Sequence, residues 1–206
     1  MEHTEFRDIL IIGDRRAASG MIADMIKSSS VEEVYEDVIK PALYDIGALW
    51  EKNKISIATE HRATAITESI LNKIFPKISP EKRHSKKVVL GSVEGDSHQV
   101  GVKMVGDMFE MNGWDTHYLG ANNPLSDLLT FISEENPVMV ALSITININI
   151  PVLERTIEAV REEFGDMDIM IGGQGLANEG HDIAKKYSRV YYMEDLHDLS
   201  DFLKSR

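Results

Sequence analysis

The chain has 206 residues, enough to bury a substantial core in one large domain or two small ones. Lys and Arg total 22 against 34 Asp and Glu, and the formal net charge of −12 argues against a nucleic-acid partner. Hydrophobic residues at 43% and charged residues at 27% are ordinary globular usage, and the lack of cysteine removes disulfides, thiolate metal sites, iron–sulfur clusters and cysteine nucleophiles, so metal chemistry rests on His, Asp, Glu or a metal carried inside a cofactor.

Met1-Glu2-His3-Thr4-Glu5 is acidic where a signal peptide is basic. The apolar runs are too short to span a bilayer, so a cytoplasmic protein without a membrane partner is expected. The first 75 residues then read as helices. Phe6–Ile12 and Arg15–Lys27 are two candidates broken near Gly13. Ser30-Val31-Glu32-Glu33 fits a capping box, with a hydroxyl at the N-cap and a carboxylate three residues on. From there Val31, Val34, Tyr35, Val38, Ile39, Ala42, Leu43, Ile46 and Leu49 recur at three- and four-residue spacing. That is the apolar face of one long helix, with Pro41 placed to kink it. Asn53-Lys54 reads as a turn, and Ser56 as the cap of a last helix running through Ala65, Ile66, Ile70 and Ile74 to Pro76. Four helices with short connections predict a four-helix bundle over residues 1–80.

Residues 76–87 carry two prolines and five basic side chains and read as a linker. A second domain is expected over residues 85–206. There, apolar runs at Val88–Leu90, His117–Leu119, Val138–Leu142, Ile169–Ile171 and Val190–Tyr192 alternate with amphipathic segments. The segments are Val100–Met111, Leu125–Glu134, Pro151–Phe164, Leu176–Lys186 and Asp195–Lys204. Strands alternating with helices of this length predict an α/β fold with a five-stranded parallel sheet covered on both faces. Ligands of such sheets bind beyond the carboxyl ends of the strands, so the loops there should carry the chemistry. Those loops contain Glu94-Gly95-Asp96-Ser97-His98-Gln99-Val100-Gly101, then Gly120-Ala121-Asn122-Asn123-Pro124, then Ser143-Ile144-Thr145, then Gly172-Gly173-Gln174-Gly175. No G-x-G-x-x-G follows the first strand and no Walker loop is present, which sets aside the common nucleotide-binding folds.

Asp96-x-His98-x-x-Gly101, Ser143-x-Thr145 and Gly172-Gly173, on successive strand ends, resemble the motifs of the cobalamin-binding domain family. The resemblance covers the C-terminal half, and the helical half looks like the cap domain that precedes it in several members. It implies a flavodoxin-like (Rossmann-like) fold after the helical cap, and a cobalamin cofactor, adenosylcobalamin or methylcobalamin, held base-off. His98 would ligate cobalt from the lower face, with Asp96 accepting the other imidazole N–H. Ser143 and Thr145 would line the slot for the displaced nucleotide tail, and Gly172 and Gly173 would leave space for it. Gly101 would open the helix flanking the corrin, and Ser97 belongs to the same loop. Thr145 stands where Leu is common in the family.

Trp50 precedes Glu60-His61 by ten and eleven residues across the Asn53 turn. This spacing resembles cobalamin-dependent light sensors and related regulators, in which Trp covers the upper face and the Glu-His pair lies beside the upper ligand. Glu51 stands where such sensors carry His, so His61 is the cap histidine left for the upper position. The leading expectation is therefore a light- or cofactor-responsive regulatory module. Its output would run through a regulatory partner protein or a change of homo-oligomer. The alternative is a corrinoid methyl carrier with a methyltransferase partner, and an isomerase subunit is a third reading. His3, His84, His117, His181 and His197 read as surface or structural residues, and Met104, Met108 and Met111 as helix core.

Overall fold

Among the described residues, ten α-helices and five strands belong either to a helical bundle or to a parallel sheet with its covering helices, and the periodicities of both are visible in the apolar residues. The structure is a computed structural model and describes residues 2–78, 83 and 85–206. It divides into Met1–Ile78 and Ser79–Arg206. Residues 79–82 and 84 of the stretch read as a linker, including His84, lie outside the described residues.

The first unit contains α1 (Glu2–Ile12), α2 (Arg15–Met25), α3 (Val31–Val34), α4 (Lys40–Glu51) and α5 (Ile57–Ile78). Gly13 turns the chain between α1 and α2 at φ +86°, where a side chain is strained. Asp14 then caps α2 by accepting from the backbone N–H groups of Arg16 (3.1 Å) and Ala17 (2.9 Å). The capping box forms: Ser30 Oγ accepts from Glu33 N–H at 3.1 Å and the Glu33 carboxylate accepts from Ser30 N–H at 2.8 Å. The long helix expected over 31–49 is modified. A π-helical segment, Tyr35–Ile39, joins α3 to α4, and the Lys40 N–H bonds to the Tyr35 carbonyl. Pro41, which has no N–H to donate, therefore sits in the first turn of α4. Ser56 accepts from Thr59 N–H at 3.1 Å, and α5 runs past Pro76 to Ile78. Proline there falls in the last turn, where one backbone bond is lost and the helix is ending. Phe6, Leu10, Tyr35, Ile39 and Leu71 are fully buried and form the centre of this unit.

The second unit holds β1 (Lys87–Val93), β2 (Asp115–Asn123), β3 (Met139–Ser143), β4 (Asp168–Gly172) and β5 (Val190–Met193), all parallel, in the order β2-β1-β3-β4-β5. This is the flavodoxin-like order, with its topological switch point between β1 and β3. The connecting helices are α6 (Val100–Met111), α7 (Leu125–Glu135), α8 (Ile150–Phe164), α9 (Gly180–Lys186) and α10 (Leu196–Lys204). Met104 and Met108 are buried on α6. β1, β3 and β4 are buried along most of their length because helices cover both sides.

Two expectations are corrected. Residues 120–123 are not loop but the end of β2, reached through register shifts against Leu90–Val93. Asn123 holds them there by donating its amide to the carbonyls of Ser92 (2.8 Å) and Gly120 (3.1 Å). The helix expected over 176–186 is broken into a 3-10 turn, Gln174–Leu176, and α9. At the start of α9, Gly180 passes so close to the Tyr192 ring that an added Cβ would lie 2.4 Å from it.

At the opposite end of the sheet Asp168 opens β4, buried among cations. It accepts from Arg189 Nε at 2.8 Å, Arg206 Nη1 at 2.8 Å and the Tyr191 hydroxyl at 3.3 Å. Burial alone would raise its pKa, but Arg189 and Arg206 hold it below the usual carboxylate range. A carboxyl depressed in the folded state stabilises the fold above its unfolded pKa, and that contribution is lost as pH falls through the folded value. Asp168→Asn is expected to be less stable than wild type at neutral pH. The deficit should narrow below about pH 4, as read by urea unfolding across a pH series.

Candidate functional site

The strand register assembles the site. Ser92 pairs with Ser143 across β1 and β3, Ser143 with Gly172 across β3 and β4, and Gly172 with Met193. The loops that follow these residues thus start side by side at the carboxyl edge of the sheet, around the switch point. Asp96 occupies the loop after β1 and is 1% exposed. Its Oδ1 accepts from His98 N–H at 3.1 Å and lies 2.8 Å from His98 Nδ1. Its Oδ2 accepts from the Thr145 N–H at 2.6 Å and the Asn149 amide at 3.2 Å. One buried carboxylate therefore ties the loop after β1 to the loop after β3.

Asn122, at φ +53°, secures the other flank. Its Oδ1 accepts from Gly95 N–H at 2.8 Å, and its own N–H donates to the Asp96 carbonyl at 2.8 Å. The Ser92 hydroxyl donates to the His98 carbonyl. Burial alone would raise the Asp96 pKa. The hydrogen bonds from the His98 ring, Thr145 N–H, His98 N–H and Asn149 win, and the carboxyl titrates at about 2. An ionised Asp96 makes Nδ1 the donor of the His98 ring, so in the neutral ring Nε2 carries the lone pair. The His98 side chain is 46% exposed and stands beyond the strand ends.

The remaining expected residues fall as follows. Ser97 is exposed beside His98, and Ser143 and Thr145 are half-buried at the end of β3. Gly101 lies exposed in the first turn of α6, and an added Cβ would meet nothing within 4 Å. Gly173 differs from its expected reason. It sits at φ +105°, and an added Cβ would lie 2.2 Å from the Ile144 carbonyl oxygen. The chain's own backbone occupies the space a side chain would need. Gly172 is less constrained, with Met193 O at 3.4 Å.

Trp50, Glu60 and His61 belong to the helical unit. Trp50 lies at the end of α4 and is 41% exposed. Glu60 and His61 lie in the first turns of α5, their side chains 3.7 Å apart, and Glu60 Oε1 accepts from the Thr64 hydroxyl at 3.0 Å. Sequence reasoning missed Asn149 and Ser92. A polar Asn inside Ile146-Asn-Ile-Asn-Ile150 was a readable signal, since amides alternating with isoleucines just past a strand need partners.

Among the described residues no group of three or more His, Asp or Glu is placed to hold a metal ion. One imidazole cannot retain a bare ion, but it suffices for a metal already held by a macrocycle. The donor set therefore fits a corrin-held cobalt. The B12 binding domain model matches residues 86–195, and a second B12 binding domain model matches residues 3–74. The chain belongs to the B12-binding domain family. Cobalamin is accordingly the cofactor of this B12-binding protein.

It is similar to dimethylamine corrinoid protein 1 of Methanosarcina acetivorans, 28% identical over 147 residues, 68% of this chain and 68% of that one. It is also similar to the HTH-type transcriptional repressor CarA of Myxococcus xanthus, 27% identical over 113 residues, 55% of this chain but 37% of the repressor. The monomethylamine corrinoid protein of Methanosarcina barkeri shares the fold of this B12-binding protein. The TM-score is 0.82 at 14% identity, covering 98% of this chain and 97% of that one. Among the described residues no helix is long and apolar enough to cross a membrane.

Proposed function

We propose that this B12-binding protein is a corrinoid methyl carrier that presents its cofactor to methyltransferase partners. The observation that carries this reading is the even coverage of the dimethylamine corrinoid protein, 68% of both chains. It reverses the order of the two expectations drawn from the sequence, in which the light-responsive module came first. When bound, the corrinoid's cobalt supplies a centre that accepts a methyl group and gives it up again. The protein's own part is positional. His98 Nε2 would ligate the cobalt, and Asp96 fixes the ring's orientation. Thr145 and Asn149 hold Asp96 in turn. Ser143, Thr145 and Gly172 would line the path of the nucleotide tail, and Ser97 and Gly101 would lie beside the corrin. From the helical unit, Trp50, Glu60 and His61 are assigned as cofactor-contacting residues.

The regulatory reading has its own support in the similarity to the CarA repressor and in the Trp50, Glu60 and His61 spacing. One experiment separates the two. The protein is loaded with methylcobalamin and mixed in the dark with the methyltransferase encoded nearest its gene. The carrier reading expects methyl transfer in the dark. A methyl group that stays in place in the dark, yet leaves on illumination with a change in elution volume, would overturn it in favour of the sensor.

A further inference from the structure

The helical unit carries a groove lined by none of the residues given a cofactor role above. It runs between α2 and α5 and is lined by Arg15, Arg16, Ser19, Gly20, Ala23 and Lys73. It continues into a slot of about 170 Å³ whose walls add Ile22, Ile26, Ile70 and Ile74. Three cations thus stand above an aliphatic cleft.

Three other cations of the unit have carboxylate partners. Arg7 pairs with Asp8 and Asp45, Lys27 with Asp24, and Lys40 with Glu36. Among the described residues, Arg15, Arg16 and Lys73 pair with no carboxylate. Arg15 donates to the Ser69 hydroxyl at 2.9 Å and Lys73 to the Ser19 hydroxyl at 3.0 Å. Asp14, next in sequence, has its Oδ1 committed to capping α2. The unit holds 13 acidic and 10 basic residues over positions 1–78, yet no carboxylate lines the groove or the slot. Gly20 is a second sign. Glycine weakens a helix interior, and here no positive φ or crowding requires it, since an added Cβ would meet nothing within 4 Å. It keeps the groove floor low.

We infer that this groove docks an acidic amphipathic segment of a partner protein. Carboxylates of the segment pair with Arg15, Arg16 and Lys73 while one aliphatic side chain enters the slot between Ile22, Ile26, Ile70 and Ile74. The groove is too open to enclose a small molecule, whereas a helix laid along it covers the cations and the slot together. Charge complementarity also speeds the encounter.

The test uses the full chain and a fluorescein-labelled helical peptide with Glu and Leu on one face at three- and four-residue spacing, followed by anisotropy. Binding is expected to weaken about tenfold or more on raising salt through the range where the Debye length shrinks from ~30 Å to below ~8 Å. Arg16→Glu with Lys73→Glu should weaken it at least as much, and Ala23→Leu should weaken it by filling the slot, with circular dichroism unchanged in both. A peptide with Gln for Leu should lose binding. Equal binding by wild type and the charge-reversed variant overturns the proposal. So does equal binding of the Gln peptide together with competition by inorganic phosphate at matched ionic strength, which would mark a small-anion site. Self-association of the chain abolished by the same substitutions overturns it in favour of a second copy.

Discussion

Gly173→Ala is expected to destabilise the second unit by about 3 kcal/mol or more, because two penalties coincide. At φ +105° and ψ +159° the residue lies in a region that is essentially glycine's alone, and placing another residue there costs about 1–3 kcal/mol. The new Cβ would also sit 2.2 Å from the Ile144 oxygen and 2.9 Å from Ser143 Oγ, so the backbone after β3 or β4 must shift. Neither strand end can move cheaply: Ile144 N–H bonds to the Gly172 carbonyl at 3.1 Å and Gly175 N–H to the Ile144 carbonyl at 3.1 Å. A loss of this size is a large fraction of the ~5–15 kcal/mol typical of a domain, and urea unfolding of the unloaded protein measures it directly. Gly101→Ala, whose Cβ points into open space, is the control. It should leave unfolding near wild type, and a midpoint for Gly173→Ala equal to that control would show that this account of Gly173 is wrong.

Asp96→Asn is expected to weaken cobalamin binding about 10–100-fold while the protein stays folded. The reason lies in donor and acceptor matching. Thr145 N–H and the Asn149 amide both donate toward Oδ2. The single oxygen of an asparagine serves these donors only by turning its NH2 toward the His98 ring and against the His98 backbone N–H, which donates to the native carboxylate. His98 Nδ1 then becomes an acceptor and the proton moves to Nε2, removing the lone pair that a metal needs. The imidazole nitrogen shifts of the unloaded protein should show this tautomer change by NMR, and the loaded variant should show a changed absorption spectrum. An unaltered tautomer with unaltered affinity would remove Asp96 from its orienting role. His98→Ala provides the limit, with cobalt ligation by this side chain absent altogether.

Much of this architecture was legible because it follows from periodicity. Val100–Met111 emerged as a helix with those bounds, and the five apolar runs became the five strands. Motif spacing carried the Asp96–His98 contact, since two residues of one tight loop must lie close together. What stayed hidden was whatever depends on contacts far apart in the chain. Asn149 reaches Asp96 across 53 residues, and no local pattern encodes that meeting. The π-helical turn at Tyr35–Ile39 was hidden for a different reason. The apolar spacing is compatible with a plain helix, and only the proline at 41 hinted that the backbone would reroute a hydrogen bond. Gly173 was located correctly but explained by a ligand, because a glycine read from sequence does not reveal which neighbour needs the space.

The same long-range ties bear on when the cofactor can be acquired. Asp96 is held by Thr145 and Asn149, which are synthesised 49 and 53 residues later, and β1 lies between β2 and β3 in the sheet. An emerging chain that ends before β3 therefore contains His98 and Asp96 but not the groups that hold Asp96 in place. Parallel pairings of this kind close long loops before they are rewarded, so they form late and slowly. A fully fixed imidazole is thus a property of the finished sheet.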